Sequence, residues 1–595
     1  MELTGSQIVA QTLKSYGVEY VAGIPGHGAW VLLDALLEDD STIPFIQVFH
    51  EQSAVHIADG YYRASGKVMA AITSIGPGAT NTIIGLATSF ADSTSLLLLT
   101  GGPATHMRGH GTMQELDRYQ DNDFRRVVEP VTKRHWDINR VDSLPSVLHR
   151  AFNSMLTGRP GPVHIEVPMD VQAETAEVTL HDLGRRLPVG KQFPDPEAIE
   201  AAAEVLSGAQ RPVVVLGGGA ISGEAWNDIL ALAEGLTIPV VTTWNGKGAF
   251  PEDHPLFAGS VGQTGTTHGN YLAANADVVL SVGCKFTDWS ASSYRKGVSF
   301  SFPPAKLIQI DIDPHEIGKN YPVEVGIVAD AQPTVAALVA AAVGDTPVER
   351  TAYLAELDRL RDEWNEKLTA RSESDAAPMT SQRPLLELRK VLPRDGIVVV
   401  GSGNPQGAVK QGFPVYEPRT HLTSGTYSSM GWAVPAALGA KLACPDKQVV
   451  CILGDGDFLM SIQELACAAT NGIPVVFLVQ NNSGYMSIRG GQRKIMDRHI
   501  GSEFTLPDGE PYTPDFYEIA KAFGLEAYRA DNGEDVRKAL EEALAAGKPA
   551  VVEAVTARDA GGPFVPGWWD FPTPGYITDS RQDDYAAERA QEQHR

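Results

Sequence analysis

Two apolar runs in the last third of the chain end on polar residues that could share one ion. "VVCILGDGD" delivers Asp455 between Gly454 and Gly456, and "PVVFLVQNN" ends on Asn482, with a helical pattern between the two runs. In open parallel sheets, ligands collect at the carboxyl ends of strands, so a carboxylate and an amide oxygen on neighbouring strands would face the same crevice. Together with a loop carbonyl they suit a hard cation such as magnesium, which keeps positions free for water and substrate phosphates. Gly454 and Gly456 let the backbone turn tightly beside a bulky phosphate, and the helix that follows offers free amides to an anion. The chemistry indicated is a metal-bridged diphosphate site. Each signal alone is a common turn or strand end; the pairing carries the reading.

Those strands belong to a pattern that runs the length of the chain. Strand and helix signals alternate throughout, as in "VMAAITSIGPG", "SLLLLTGGP", "PVVVLGGGA", "KLIQIDIDP" and "GIVVVGSG", which predicts an α/β protein of parallel, doubly wound sheets covered by helices. At 595 residues the chain exceeds one core. The spacing of two looser stretches, "AETAEVTLHDLGRRLPVGKQFPDP" and "TARSESDAAPMTSQ", predicts domains at 1–175, 190–345 and 378–560, with a C-terminal tail at 561–595. The composition is 43% hydrophobic and 20% charged with a formal net charge of −25, so nucleic acid and anionic membrane are poor partners. The N-terminus lacks a signal pattern and goes straight into an amphipathic helix, and no apolar run reaches spanning length, so a cytoplasmic location is expected. Cys284, Cys444, Cys451 and Cys467 lack metal-site spacing and read as free thiols.

The GDG…NN pair resembles the signature of thiamine-diphosphate-dependent enzymes. That resemblance implies three domains: pyrimidine-binding, central and diphosphate-binding. It assigns magnesium to Asp455, Asn482 and a backbone oxygen near Gly484, and the cofactor to Gly454, Gly456 and Asp457. "FHEQSAVHIADGYYRASG" places Glu51 where the family carries the acid that activates the aminopyrimidine; a favourable helix-dipole charge is the structural alternative. Met430 in "SMGWAVPAALGA" matches the apolar residue wedged between the cofactor rings, with a core methionine as the alternative. Ser402, Gly403 and Asn404 in "GSGNPQ" sit where relatives contact the diphosphate. In "GIPGHGAW", Gly26 is assigned to the cofactor, and His27 reads as a proton shuttle or as a turn cap.

The resemblance is closest to the acetolactate (acetohydroxyacid) synthase branch, through "SIGPGATNTIIGLATSFAD", "GRPGPVHIEVPMDVQ" and "IQIDIDPHEIGKN". Gln114 in "GHGTMQEL" and Lys133 in "VTKRHW" match residues of that branch. A decarboxylase and carboligase of 2-oxo acids is the implied activity, and a homodimer or homotetramer the implied assembly. In that branch the middle domain carries a structural FAD, and "GQTGTTHGN", "GCKFTDW" and "DIDPHEI" resemble its contacts; other branches hold an adenine nucleotide or nothing there. Two departures bear on substrate. Trp289 stands where the synthases carry an arginine for the second oxo acid's carboxylate, and the tryptophan expected after NN is replaced by glycine. A thiamine-dependent lyase or hydrolase of a diketone therefore stays open, with Arg489, Arg493 or Lys494 as carboxylate partners or merely as solvated charges. A noncatalytic homologue and a flavin or nicotinamide oxidoreductase are the remaining alternatives. The aromatic tail "PGWWDFPTPGY" is expected either to close over the site or to pack on a neighbouring subunit.

Overall fold

The computed structural model describes residues 1–38, 42–116, 124–182, 187–188, 190–344, 348–558 and 562–592. They form three six-stranded parallel sheets, each flanked by helices, which is the α/β architecture expected. The first sheet has the order Phe45–Gln47, Val21–Gly23, Ala70–Thr73, Leu97–Gly102, Val163–Pro168 and Arg134–Asp137. The second runs Phe257–Ser260, Val240–Thr242, Pro212–Leu216, Val278–Val282, Lys306–Asp311 and Val325–Val328. In the third the order is His421–Thr423, Ile397–Val400, Val449–Gly454, Val476–Asn481, Ala550–Val555 and Glu526–Ala530. Every residue of the central strands Leu97–Gly102 and Ile397–Val400 is buried, which explains their unbroken apolar or small-residue sequences.

The first and third units share one hydrophobic core. Its seam is the pair of helices Glu51–Ser65 and Ala433–Ala443, which meet backbone to backbone. A Cβ on Gly60 would lie 2.2 Å from the Ala436 carbonyl oxygen, and one on Gly439 would lie 2.0 Å from that of Ile57, so both positions require glycine. At the same seam the fully buried Asp59 carboxylate accepts from Arg63 Nε at 2.8 Å, Trp432 Nε1 at 2.7 Å and Ser89 Oγ at 3.1 Å, as well as from Thr94. Arg63 also pairs with Asp92 at 3.0 Å. A buried charge of this kind is tolerated because each of its oxygens has donors.

Three features depart from the sequence reading. A short strand, Glu2–Thr4, precedes the first helix and pairs antiparallel with Thr175–Glu177, so the start of the first looser stretch is tied down. Helix Thr351–Ser372 extends into the second. The tail contains a helix, Ser580–Glu592, and its aromatic part lies on the second unit of the same chain. All four cysteines are free, three of them buried. No helix among the described residues is long and apolar enough to cross a membrane.

Candidate functional site

The strands that carry Asp455 and Asn482 are direct neighbours, in parallel register from Val450↔Val476 to Gly454↔Gln480. Asp455 therefore leaves its strand beside the turn that follows Asn481. It is 1% exposed and opens the short helix Asp455–Leu459. Its Oδ1 accepts from Gly456 N at 2.8 Å, and its Oδ2 from Gly484 N at 3.1 Å and Asn482 N at 3.3 Å. Burial pushes the Asp455 carboxyl up to about 6 despite those bonds. A carboxylate so desolvated, with no side-chain cation bonded to it among the described residues, suits a bound cation. The Asn482 side chain has no hydrogen-bond partner among the described residues and stays free to supply its oxygen. Among those residues no group of three or more His, Cys, Asp or Glu side chains could hold a metal, so the site would draw on amide and carbonyl oxygens as well.

The glycines differ in what they do. Beyond Gly454 a Cβ would meet nothing within 4 Å, which leaves room for a bulky group. Gly456 packs under Tyr485, whose ring atom would lie 2.4 Å from a Cβ there. Gly484 holds φ +157, and a Cβ there would lie 2.5 Å from the Ser502 carbonyl oxygen. Gly403, at φ +109, turns the chain into helix Asn404–Gly412 with open space beside it.

Asp457, assigned to the cofactor from its sequence, instead faces protein. Its Oδ2 accepts from Ser402 N at 2.9 Å, its Oδ1 accepts from Gly431 N, and burial raises it to about 7. It is thus a brace between the "GSGN" turn and the "SMGW" turn, and sets the backbone on which Met430 is carried. Ser402 Oγ donates to Ser428 O at 2.7 Å, which closes the brace. Met430 is half-buried.

Of the other sequence-assigned residues, Glu51, Gly26, His27 and Gln114 follow strands at the carboxyl edge of the first sheet, whereas Lys133 precedes strand Arg134–Asp137 at the opposite edge. Glu51 is the first residue of its helix, behind the capping side chain of His50. Its Oε2 accepts from Asn81 Nδ2 at 2.9 Å, and its Oε1 would lie 3.3 Å from a Cβ on Gly78. Gly26 is pressed on Ser74, whose Cβ would be 2.3 Å from its own, and Ser74 Oγ accepts from Gly28 N at 3.2 Å. His27 begins a short 3₁₀ turn and meets Trp30 edge to face at 6.3 Å; no side-chain bond caps that turn. Gln114 is exposed, at φ +66, with its carbonyl 2.1 Å from where Gly76 would carry a Cβ. Lys133 donates to the carbonyls of Ser154 and of Thr157 (the latter at 3.0 Å), so it caps the end of helix Leu144–Leu156.

Sequence reasoning missed what joins the two edges. Glu464, fully buried on the third unit, accepts from the amide of Phe49, at 3.2 and 3.3 Å to its two oxygens, 415 positions away on the first. His50 N and Ser53 Oγ also bond to it, and burial pushes it up to about 7. Gln52 Nε2 would lie 3.3 Å from a Cβ on Gly431. The first turn of the Glu51 helix is therefore fixed to the third unit by its neighbours, while the Glu51 carboxylate itself bonds only within the first. No hydrogen bond among the described residues joins Glu51 to Asp455 or Asn482.

A cavity of about 390 Å³ lies where all three units meet. Its floor is the glycine turn Gly217–Gly219 against Gly283; a Cβ on Gly217 would be 2.0 Å from the Gly283 carbonyl oxygen. Arg159 and Lys285 contribute cations, and Asp311, raised to about 6 by burial, contributes a carboxyl. The indole nitrogens of Trp244 and Trp289, Asn245 Oδ1 and His421 Nδ1 are buried in its walls without a hydrogen-bond partner. Orphaned polar atoms around a glycine-floored cavity suit a polar, phosphate-bearing ligand. Of the three basic residues considered for the substrate, Arg489 is paired with Glu503 and Lys494 lies over the Trp568 ring at 5.8 Å.

Family comparisons cover the three units in turn. The family described as "Thiamine pyrophosphate enzyme, N-terminal TPP binding domain" matches residues 3–121, the central domain of the same enzymes matches 199–338, and their C-terminal TPP binding domain matches 401–554. The probable acetolactate synthase large subunit of Methanocaldococcus jannaschii is 34% identical over 581 residues, 95% of this chain and 94% of that protein. The acetolactate synthase large subunit of Parasynechococcus marenigrum is 33% identical, covering 93% of this chain and 88% of its own. That of Corynebacterium glutamicum is 33% identical, with 94% and 87% covered.

Proposed function

Because the chain belongs to the thiamine pyrophosphate enzymes, we propose that it is a thiamine-diphosphate-dependent carboligase of 2-oxo acids, similar to the acetolactate synthases. The observation that carries the reading is the buried Asp455 carboxylate beside the free side chain of Asn482 at the ends of paired strands. In this reading Asp455, Asn482 and the carbonyl near Gly484 hold magnesium, and Ser402, Gly403 and Gly454 border the diphosphate. When bound, thiamine diphosphate supplies a nucleophilic carbon and an electron sink. The protein's part is to bind, orient and move protons. Glu51, steadied by Asn81, holds a proton at a carboxyl oxygen for the aminopyrimidine nitrogen. Met430, set by the Asp457 brace, would supply the apolar side chain against the cofactor rings, and His27 and Gln114 would serve as polar groups for proton transfer and positioning of substrate.

FAD occupies the three-unit cavity in a structural role, supported by the glycine floor and the orphaned donors. The enzyme works in the cytoplasm as a homodimer or homotetramer. The exposed apolar side chains of Trp30, Met113 and Ile488, at 63%, 68% and 58%, are surface of the kind that a second copy would cover. One observation favours a second reading, cleavage of a diketone: where the synthases offer an arginine, Trp289 packs edge to face on Trp244 at 5.5 Å and presents no cation. Single-turnover product analysis separates the two. With thiamine diphosphate and magnesium, pyruvate should yield carbon dioxide and acetolactate. Pyruvate left intact while a cyclic or acyl diketone is cleaved would move the assignment to the lyase.

A further inference from the structure

The three-unit cavity has one aromatic end, and part of that end belongs to the tail. Trp244 and Trp289 meet edge to face at 5.5 Å, and Trp289 meets Trp569 of the tail at 5.3 Å, both with rings inclined by 65°. All three line the cavity. The indole N–H groups of Trp244 and Trp289 are buried and have no hydrogen-bond partner among the described residues. A buried donor without an acceptor is costly, so this end is built for a flat group that carries acceptors on its rim.

The tail is held here by specific bonds. Gln411 clasps Phe564 in both directions, its Oε1 accepting from Phe564 N at 2.9 Å and its Nε2 donating to Phe564 O at 2.7 Å. Gly567 N donates to Gln263 O at 3.2 Å, and Asp570 N donates to Ser293 Oγ at 3.0 Å. Gly567 runs so close to the second unit that a Cβ would lie 2.4 Å from the Gly262 carbonyl oxygen and 2.6 Å from Ser292 Oγ. Bonds on both sides of Trp569 thus fix its ring against Trp289.

We propose that the tail segment 562–571 is a binding element of the middle-unit cavity, and that Trp569 with Trp289 seats the tricyclic ring of a bound flavin dinucleotide. The inference rests on the dinucleotide reading of that cavity and adds a role for the tail. The nucleotide half meets the glycine floor and binds without the tail; the ring half needs it.

The test uses the full-length protein, titrated separately with FAD and with ADP. Affinity is read by equilibrium dialysis, ring contact by quenching of flavin fluorescence, and tail order by limited proteolysis. Wild type is expected to bind both, to quench the flavin, and to have its tail protected by FAD but not by ADP. Trp569→Ala should keep its ADP affinity, lose at least tenfold in FAD affinity and restore flavin fluorescence. Gly567→Ala, which displaces the segment while retaining the ring, should show the same pattern, and circular dichroism checks that both variants fold. FAD bound and quenched equally by wild type and both variants would overturn the inference while leaving the dinucleotide reading intact. ADP bound but FAD refused by wild type would overturn it as well, since the tryptophans would then fill the ring position themselves. Failure of both nucleotides to bind would overturn the dinucleotide reading on which it stands.

Discussion

Replacing Glu464 by glutamine should change how stability depends on pH. This carboxyl is fully buried at the seam of the first and third units, where Phe49 N, His50 N and Ser53 Oγ point at it. Burial outweighs those bonds and lifts it from the ordinary 4.5 to about 7. The folded protein then holds this proton more tightly than the unfolded chain. The stabilisation is complete below pH 4.5, declines as pH rises between 4.5 and 7, and is gone above 7. A displacement of that size corresponds to roughly 3 kcal/mol. Glutamine never ionises, so Glu464→Gln pays a constant penalty for turning an amide N–H toward a donor but escapes the titration. Urea unfolding followed by circular dichroism at pH 5 and pH 8 supplies the two differences between variant and wild type. All other ionisable groups cancel in that comparison, including Asp455 and Asp457. The variant should gain about 2–3 kcal/mol on wild type between the two pH values. A difference that stays constant within about 0.5 kcal/mol would refute the argument, because the carboxyl would then be ionised in the folded state at both.

Three further outcomes follow from the geometry. Asp59→Asn leaves Arg63 partly uncompensated at the buried seam and should cost about 3–5 kcal/mol in urea unfolding, a loss below about 1 kcal/mol marking the network as dispensable. Glu51→Gln keeps the helix start and an oxygen for Asn81, so calorimetric binding of thiamine diphosphate should persist while product formation falls by about 10²–10⁴-fold. Asp455→Asn removes the one carboxylate of the proposed metal site, and magnesium affinity measured by calorimetry should fall by at least the roughly 10–100-fold that outer-shell changes cost; unchanged affinity would place the ion elsewhere.

Legibility in the sequence followed sequence distance. The strands that bear Asp455 and Asn482 could be read because each is a continuous buried apolar run closed by a turn residue, and the helix between them makes their parallel pairing the short connection. The three-sheet architecture was legible for the same reason. The spacing of Asp59 and Arg63 allows an i,i+4 pair, but Trp432, which bonds the same carboxylate, lies 373 positions away and leaves no local trace. Glu464 has the local setting of an ordinary helix-opening acid. Its burial comes only from packing against Phe49 and Ser53, which no window of sequence contains. Asp457 is assigned to the cofactor only through the family resemblance; its bonds to the amides of Ser402 and Gly431, 55 and 26 positions away, leave no local trace in the sequence. The strand Glu2–Thr4 is only three residues long, too short for any periodicity to show.

The same seam bears on how the candidate site is kept in order. In the proposed role Glu51 has to present its carboxyl at a fixed position, yet its one side-chain bond among the described residues is to the exposed Asn81. Three restraints behind it do the fixing. Glu464 holds the backbone on its N-terminal side through Phe49, Asp59 and Trp432 lock the helix two turns further on, and the Gly60–Ala436 contact prevents it from sliding. All three reach into the unit that carries Asp455, so Glu51 and the proposed metal site are referenced to one core although no hydrogen bond among the described residues connects them. Movement of the Glu51 helix relative to the third unit would break buried bonds at both Glu464 and Asp59, groups that lose their solvation when separated from partners. A rigid seam of this kind is what proton transfer over hydrogen-bond distance requires, because misplacement by about 1 Å costs about 10²-fold in rate.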